Sequence, residues 1–156
     1  DILTLACLTA IVPYAFRDPS EARLRHGAEM VGIARWMRKA DRLEEAVAWM
    51  RAALSRKMRD DLLFRTMWDI AQLERKLGRD EGALGMYTEL AACRNPHRVE
   101  ALEELAKHYE HKERNPAVAL AFTEQALKLA HSAELKHRAA RLERKVAARV
   151  KQSRLL

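Results

Sequence analysis

The chain has 156 residues, of which 49% are hydrophobic and 33% charged, and its net charge is +7. Its 27 Ala and 21 Leu residues, against five Gly and four Pro, favour an all-helical fold over a sheet. At this length one domain is the default, and two Cys residues, Cys7 and Cys93, exclude a disulfide scaffold. Their spacing fits neither a metal site nor a redox motif, so we interpret them as reduced packing residues.

The first predicted element is an apolar helix near Ile2–Val12. The segment Ile2–Phe16 has no Lys or Arg, is too short to span a bilayer and is interrupted by Pro13. It also lacks the basic start of a signal peptide. We therefore expect a helix that packs on protein, no membrane association and a cytoplasmic location. Because the chain starts with Asp1, we expect residues 1–17 to be a terminal helix left from a preceding domain.

Seven further helices are predicted from capping signals and apolar periodicity. The side chains suited to capping helix starts are Asp18, Asp41, Asn95, Asn115 and Ser132. Gly78 lies where a helix end needs a left-handed residue. The predicted helices lie near Pro19–Lys39, Leu43–Arg56, Asp61–Leu77, Glu81–Cys93, Pro96–His111, Pro116–Ala130 and Ala133–Ser153. No low-complexity linker separates them, so we expect residues 18–156 to form one domain.

The final predicted helix is strongly basic. An apolar stripe runs along it from Leu135 to Val150 at spacings of three and four residues. The rest of its surface is cationic, so residues 132–156 carry +6 of the net charge of +7. Two interpretations stay open: a solvated cap for a helical array, or a basic strip for phosphate backbones or an acidic partner. The basic residues of interest are Arg138, Arg141, Arg144, Lys145 and Arg149.

Three stretches of the chain repeat one another at a spacing of 36 to 37 residues. The copies are Met30–Leu54, Met67–Ala91 and Leu102–Leu127. Each is anchored on an Ala that we expect to be buried at a close helix crossing: Ala46, Ala83 and Ala119. A period near 34 residues is typical of stacked helix pairs, each of which buries its apolar face against its neighbours.

The copies resemble tetratricopeptide repeats, which combine large, apolar, small, aromatic and turn residues in a fixed order. The first copy matches with Met30, Ile33-Ala34, Met37, Asp41, Ala46, Met50 and Ala53. The second matches with Met67, Ile70-Ala71, Glu74, Gly78, Ala83, Tyr87 and Leu90. The third, with one extra residue in its turn, matches with Leu102, Leu105-Ala106, Tyr109, Ala119, Thr123 and Ala126. The resemblance implies an all-α, tetratricopeptide-like right-handed helical-repeat array with a basic C-terminal capping helix.

In that family the first helix of each pair lines a concave groove. Carried over, the groove residues are Arg35, Arg38, Lys39, Arg65, Trp68, Gln72, Arg75, Lys76 and Lys107. Further residues at such positions are Val31, Glu103, Glu110 and His111. Arg with Trp suits phosphate pairing and base stacking in single-stranded nucleic acid, and equally suits an acidic peptide with an aromatic anchor. The alternative is that Trp68 packs between repeats and the arginines are ordinary surface.

The whole chain also resembles the C-terminal region of a bacterial family that joins a ribonuclease H-like, DEDD-type exonuclease domain to tetratricopeptide-like helices. The matching runs are Asp1–Leu5, Ala101–His111 and Ala140–Lys145. The resemblance implies a full-length metal-dependent 3′–5′ exonuclease, whose nuclease domain precedes these residues in the same polypeptide. It also implies that Asp1 is a remnant of the metal site of that domain, to which any divalent metal would belong.

The chain itself is expected to be non-catalytic. Two-metal phosphodiester hydrolysis needs several converging carboxylates, and Asp1 alone cannot supply them. No Gly-rich phosphate loop, nucleophile elbow or Cys/His cluster occurs, and we interpret His108 and His111 near Glu104 as a solvated helix surface. We therefore expect no catalytic residue, cofactor or metal here.

The expected function is a helical-repeat interaction module that assists nucleic-acid or partner binding by the exonuclease. One alternative is a protein–protein scaffold with no nucleic-acid contact. The other is a degraded enzyme fragment whose chemistry depends on Asp1.

Overall fold

The computed structural model describes residues 18–19, 24 and 26–153, with Ser153 described by its backbone alone. These residues contain no strand, which confirms the predicted all-α fold. Their helices are α1 Gly27–Lys39, α2 Leu43–Leu54, α3 Asp60–Lys76, α4 Asp80–Ala92, α5 Arg98–His111, α6 Pro116–Leu129 and α7 Ala133–Ser153. Within this part of the chain, every helix is too short or too polar to cross a lipid bilayer.

The chain is divided into two compact units, of which the first ends at Ala83, inside α4. In the first unit α1 packs against α2, and α2 packs against α3. In the second unit α5 packs against α6, and α6 packs against α7. The predicted boundary between residues 1–17 and 18–156 stays a prediction. Asp1 and the predicted helix near Ile2–Val12 lie outside the described residues.

Small residues at the predicted repeat anchors are buried. Ala46, Ala83 and Ala119 are at most 3% exposed, so their predicted burial is confirmed. The apolar stripe of α7 is buried at its beginning, where Leu135 is 2% exposed. The stripe does not continue to the end of the helix, because Val150 is 47% exposed.

Three helices end near a residue with a left-handed backbone: Asp41 (φ 59°), Gly78 (φ 74°) and Arg114 (φ 51°). The following N–H donates back to a helix carbonyl five residues earlier at the first two turns, and six residues earlier at the third. The spacings between these residues are 37 and 36, which is the period of the sequence copies. The prediction for Gly78 is confirmed.

The prediction of Asp41 as a helix cap is wrong. Its left-handed backbone closes α1, and Arg42 precedes α2 without a side-chain cap. By contrast, Asn115 caps α6, and Ser132 Oγ accepts a hydrogen bond at the start of α7, as predicted. The prediction of Asn95 as a helix cap is also wrong, because His97 precedes α5 and no side chain caps that helix. Asn95 instead lies in the turn before α5, where its Oδ1 accepts the His97 N–H at 2.9 Å.

The start of α1 also differs from the prediction. The predicted helix began at Pro19, but Pro19 lies in a turn, Leu24 is outside any helix, and α1 begins at Gly27. A Cβ on Gly27 would lie 2.9 Å from the carbonyl oxygen of Ala53, so only glycine fits against the end of α2. The first residue of α1 is therefore a close contact point with the end of α2.

Candidate functional site

Two of the predicted groove arginines meet on one buried carboxylate in the first unit. Asp69, on α3, is 6% exposed. Arg65 places its Nε 3.5 Å from Asp69 Oδ1, and Arg38 from α1 places its Nη1 3.4 Å from the same oxygen. The arginine side chains remain 56% and 41% exposed, respectively. One buried negative charge thus holds two positive charges at the surface, and we call Arg38, Arg65 and Asp69 the Asp69 cluster.

Other predicted groove residues continue along the same face of α3. Trp68, Gln72 and Arg75 follow Arg65 at spacings of three and four residues, which places them on one side of the helix. Trp68 and Gln72 are partly buried, whereas Arg75 is exposed and donates to Gln72 Oε1 at 3.1 Å. This stripe therefore combines one partly accessible indole ring with two exposed guanidinium groups.

The remaining groove residues are exposed singly or paired with acids. Lys76 Nζ lies 3.8 Å from Asp41, and Lys107, in the second unit, lies 2.6 Å from Glu104. The side chains of Arg35 and Lys39, on α1, are exposed. Pairing with Glu104 reduces the positive potential that Lys107 offers to a ligand.

Two residues assigned to groove positions are instead buried, and one exposed aromatic residue was missed. Val31 is 1% exposed and Glu110 is 7% exposed, so neither lines an open groove. Both face the interior because they lie on the packed sides of α1 and α5. Trp36 on α1 is 54% exposed, although the repeat alignment did not select it.

A buried Glu near the end of α3 forms a charge-balanced network. Glu74 is 4% exposed and accepts two hydrogen bonds from Arg51 of α2, the shorter at 2.7 Å. Arg79 Nη1 lies 3.9 Å from Glu74 Oε2, and Arg79 Nη2 pairs with the Glu44 carboxylate. A Cβ on Gly82 would lie 3.0 Å from the Glu74 carboxyl carbon, so glycine leaves room for the pair. We call Glu44, Arg51, Glu74 and Arg79 the Glu74 cluster.

A second buried Glu, near the end of α5, gathers cations of α7. The Glu110 side chain is 1% exposed. Arg141 Nη2 donates to its Oε2 at 2.8 Å, and Lys145 Nζ donates to its Oε1 at 2.7 Å. Arg138 Nη1 lies 3.6 Å from Oε2. Three positive charges face one negative charge in this set, which we call the Glu110 cluster.

The Glu110 cluster stabilises the ionised carboxylate. Burial raises the pKa of Glu110, but the Lys145 hydrogen bond and the charges of Arg141, Lys145 and His111 outweigh that effect. The pKa of Glu110 is therefore below its ordinary value. At neutral pH the carboxylate is charged and holds the α7 cations in place.

Two clefts lie beside the Glu110 cluster. One, of about 360 Å³, is lined by Glu134, His137, Arg138, Arg141 and Arg144. The other, of about 350 Å³, is the Arg114 cleft, lined by Glu110, Arg114, Pro116, Lys145, Ala148 and Arg149. Among the described residues, those that border the first cleft all belong to α7, whereas the Arg114 cleft lies between α7 and the turn that joins α5 to α6. All five of the predicted basic residues of α7 thus line one of these clefts.

Arg114 is a candidate site residue that the sequence did not single out. Its left-handed backbone costs about 1 kcal/mol for a residue with a side chain. Gly78, located 36 positions earlier, has the same conformation without that cost. The spacing of 36 residues from Gly78 could have identified Arg114, because it places Arg114 at a helix end where glycine is favoured.

No metal site is formed by the side chains that the structure describes: nowhere do three His, Cys, Asp or Glu residues gather suitably. The two histidines considered as a weak metal pair contact acids instead. His108 Nε2 lies 3.4 Å from Glu113, and His111 Nε2 lies 3.7 Å from Glu110.

Comparison with known proteins gives one longer relative. No protein-family model matches the chain. Over 152 residues it is 28% identical to the uncharacterized protein YprB of Bacillus subtilis (strain 168). The match covers 93% of this chain but 36% of that protein, so the chain spans about a third of the length of its relative. The name of the relative states no activity.

Proposed function

We propose that this chain is a non-catalytic helical-repeat module, attached to a ribonuclease H-like exonuclease, that assists the binding of single-stranded nucleic acid. The observation that carries the proposal is the excess of cations over carboxylates in the Asp69 and Glu110 clusters. Cations already held by buried carboxylates lose less side-chain freedom when they contact phosphate. Such contacts depend on the charge of the phosphate and not on the bases. Nucleic-acid binding should therefore be independent of base sequence.

The tetratricopeptide-like arrangement is supported by features that recur with the sequence period. Left-handed residues follow α1, α3 and α5 at intervals of 37 and 36 residues. Each repeat anchor is a buried Ala, and α1 with α2, like α5 with α6, forms a packed pair of consecutive helices. Stacked pairs of this kind form binding surfaces from their side chains and usually lack chemistry of their own.

Attachment to an exonuclease rests on the family resemblance of three sequence runs. The similarity to YprB is compatible with it, because most of that protein lies outside the matched region. In this proposal the metal-dependent 3′–5′ cleavage belongs to a separate nuclease domain in a cytoplasmic bacterial protein. The helical module contributes contacts to the substrate strand.

The proposal is tested by fluorescence anisotropy with a labelled single-stranded oligonucleotide and the full 156-residue chain. We expect binding at low salt that weakens steeply as salt rises, because phosphate contacts release counterions. Arg65→Gln should weaken binding while Arg38 continues to pair with Asp69. Arg56→Gln removes an exposed cation of the same unit outside the cluster, and it should have little effect. Absence of binding by the unmodified chain at low salt would contradict the proposal.

A protein–protein scaffold without nucleic-acid contact is the second candidate. It is favoured by Trp36, which is 54% exposed and adjacent to Arg35. Tryptophan and arginine are enriched at protein interfaces, and an acidic peptide would suit the surrounding charge. The same salt titration separates the candidates, because a pure scaffold binds no oligonucleotide.

A further inference from the structure

We infer that the Arg114 cleft binds a phosphate group of a nucleic-acid strand, an inference that rests on the proposed function for the source of the phosphate. The cleft has a volume of about 350 Å³ and lies between α7 and the turn joining α5 to α6. Three cationic side chains and one carboxylate line it. These are Arg114, Lys145, Arg149 and Glu110.

The carboxylate in this lining does not prevent anion binding. The Glu110 side chain is 1% exposed, and its oxygens already accept hydrogen bonds from Arg141 and Lys145. Arg114 and Arg149 are exposed and form no ion pair with any residue in the described part of the chain. The accessible charge of the cleft is therefore positive.

The cleft is also pre-organised on two sides. On α7, Lys145 is held by Glu110 at 2.7 Å. On the opposite side, Pro116 occupies the first turn of α6, a helix of 14 residues whose positive dipole end lies at that turn. Pro116 has no N–H, and the Val118 N–H is already bonded to Asn115, so the cationic side chains rather than backbone donors would hold an anion in the cleft.

The conformation of Arg114 adds an independent argument. A strained left-handed residue that carries a long charged side chain points to a functional constraint. Gly78 closes the equivalent position without strain. The arginine at the third turn lines the cleft with a cationic side chain, which glycine would not provide.

The lining suits a phosphate group. Planar guanidinium groups pair with two oxygens of a phosphate, and Lys145 adds a point charge. A strand is favoured over a single small anion because a second cationic cleft lies on the same helix, around Arg141. Arg141 and Arg149 are separated by about 12 Å along the helix axis, so two non-adjacent phosphates of one strand have separate places to bind.

The first test is a titration of the full chain with inorganic phosphate, followed by the backbone amide NMR signals of Arg114, Ala148 and Arg149. We expect shifts that saturate with phosphate and do not occur with chloride at equal ionic strength. Arg114→Gln should abolish the saturation. Lys128→Gln, which removes an exposed cation of the same unit outside the cleft, should retain it. Shifts that never saturate in the unmodified chain would overturn the site.

The second test is the salt dependence of single-stranded oligonucleotide binding. Arg114→Gln should weaken binding about fivefold, as for one exposed charge contact, and reduce the slope of log K against log salt by about 1. Ala148→Leu narrows the cleft without changing its charge, and it should also weaken binding. Lys128→Gln should preserve the slope. Circular dichroism of each variant verifies that the helices are intact.

The outcomes separate the cleft from the proposed function. Oligonucleotide binding that is unchanged in both Arg114→Gln and Ala148→Leu overturns the inference and leaves the proposed function standing. Saturable phosphate shifts without any oligonucleotide binding overturn the proposed function and make free phosphate the ligand. Loss of both signals in Arg114→Gln, with both retained in Lys128→Gln, supports the cleft as the phosphate site of the strand.

Discussion

Two buried glutamates lie four residues before a left-handed turn residue, and their surroundings differ in net charge. Glu74 precedes Gly78 and belongs to a network of two carboxylates and two guanidinium groups. Glu110 precedes Arg114 and is the one carboxylate of the Glu110 cluster, which contains three cations. Met37, four residues before Asp41, is fully buried and uncharged. The two buried acids thus differ in whether their cations are balanced, and the proposed function rests on the cluster with cations in excess.

Glu74 and Glu110 have different roles in their clusters. In the Glu74 cluster, Arg51 joins α2 to α3, and the charges are balanced within the unit. In the Glu110 cluster, the carboxylate holds α7 against α5 and leaves positive charge at the surface. Removing either acid should reduce stability, but only removal of Glu110 leaves several cations without a carboxylate.

The largest expected effect is the loss of stability in Glu110→Ala, about 2–3 kcal/mol, since a buried charge partner is removed and half-exposed cations are left to repel one another. Glu74→Ala should cost less, about 1–2 kcal/mol, because Arg79 keeps its contact with Glu44. Urea unfolding followed by circular dichroism measures both, with exposed Glu124→Ala as the control. A larger loss of unfolding free energy in Glu74→Ala than in Glu110→Ala would contradict the predicted order of the two variants.

A smaller effect is expected from acidification. Because the pKa of Glu110 is lowered in the folded state, its contribution to stability is fully present above the ordinary carboxyl value of 4.5. That contribution is lost as pH falls below 4.5 and through the lowered folded-state value, since the unfolded chain takes up the proton first.

The measurement is the urea midpoint as a function of pH for the unmodified chain and for Glu110→Gln. The difference between them should shrink as pH falls through this acidic window. The Glu124→Gln control should follow the unmodified chain throughout. A difference that stays constant with pH would show that the ionised Glu110 carboxylate contributes no stability.

The smallest expected effect compares two glycines of α4. A Cβ at Gly85 meets nothing within 4 Å, so Gly85→Ala should stabilise the helix by about 0.5–1 kcal/mol. A Cβ at Gly82 would lie 3.0 Å from Glu74 and 3.3 Å from Arg51, so Gly82→Ala must displace that pair. Gly82→Ala should therefore not show the increase in stability that is expected for Gly85→Ala. Thermal melting that shows equal gains for both variants would mean that the Glu74 cluster adapts without cost.

Local patterns were sufficient to predict most of the helices. Capping by Asn115, the left-handed Gly78 and the buried anchor Ala83 depend on neighbouring residues or on helical spacing, and all three are confirmed. The start of α1 was predicted wrongly, and it lies at Gly27, which packs closely against Ala53, a residue distant in sequence. Local patterns do not report such a contact between distant residues.

The charge clusters were missed for the same physical reason. Arg38 and Asp69 are 31 positions apart, and Glu110 is 35 positions from Lys145. Periodicity places charged residues on solvated faces by default, so it does not identify a Glu that is buried by cations of another helix. The basic character of α7 was visible in the sequence, but the residue that organises it became visible only in the fold.

The tight turns that follow α1 and α5 have a kinetic consequence. Each is closed by hydrogen bonds between residues five or six positions apart, so a helix and its next neighbour come together without closing a long loop. Chains dominated by such short-range contacts have low contact order and fold in microseconds to milliseconds. The helical hairpins α1–α2 and α5–α6 should therefore form early, before the long-range charge pairs on Asp69 and Glu110 are made.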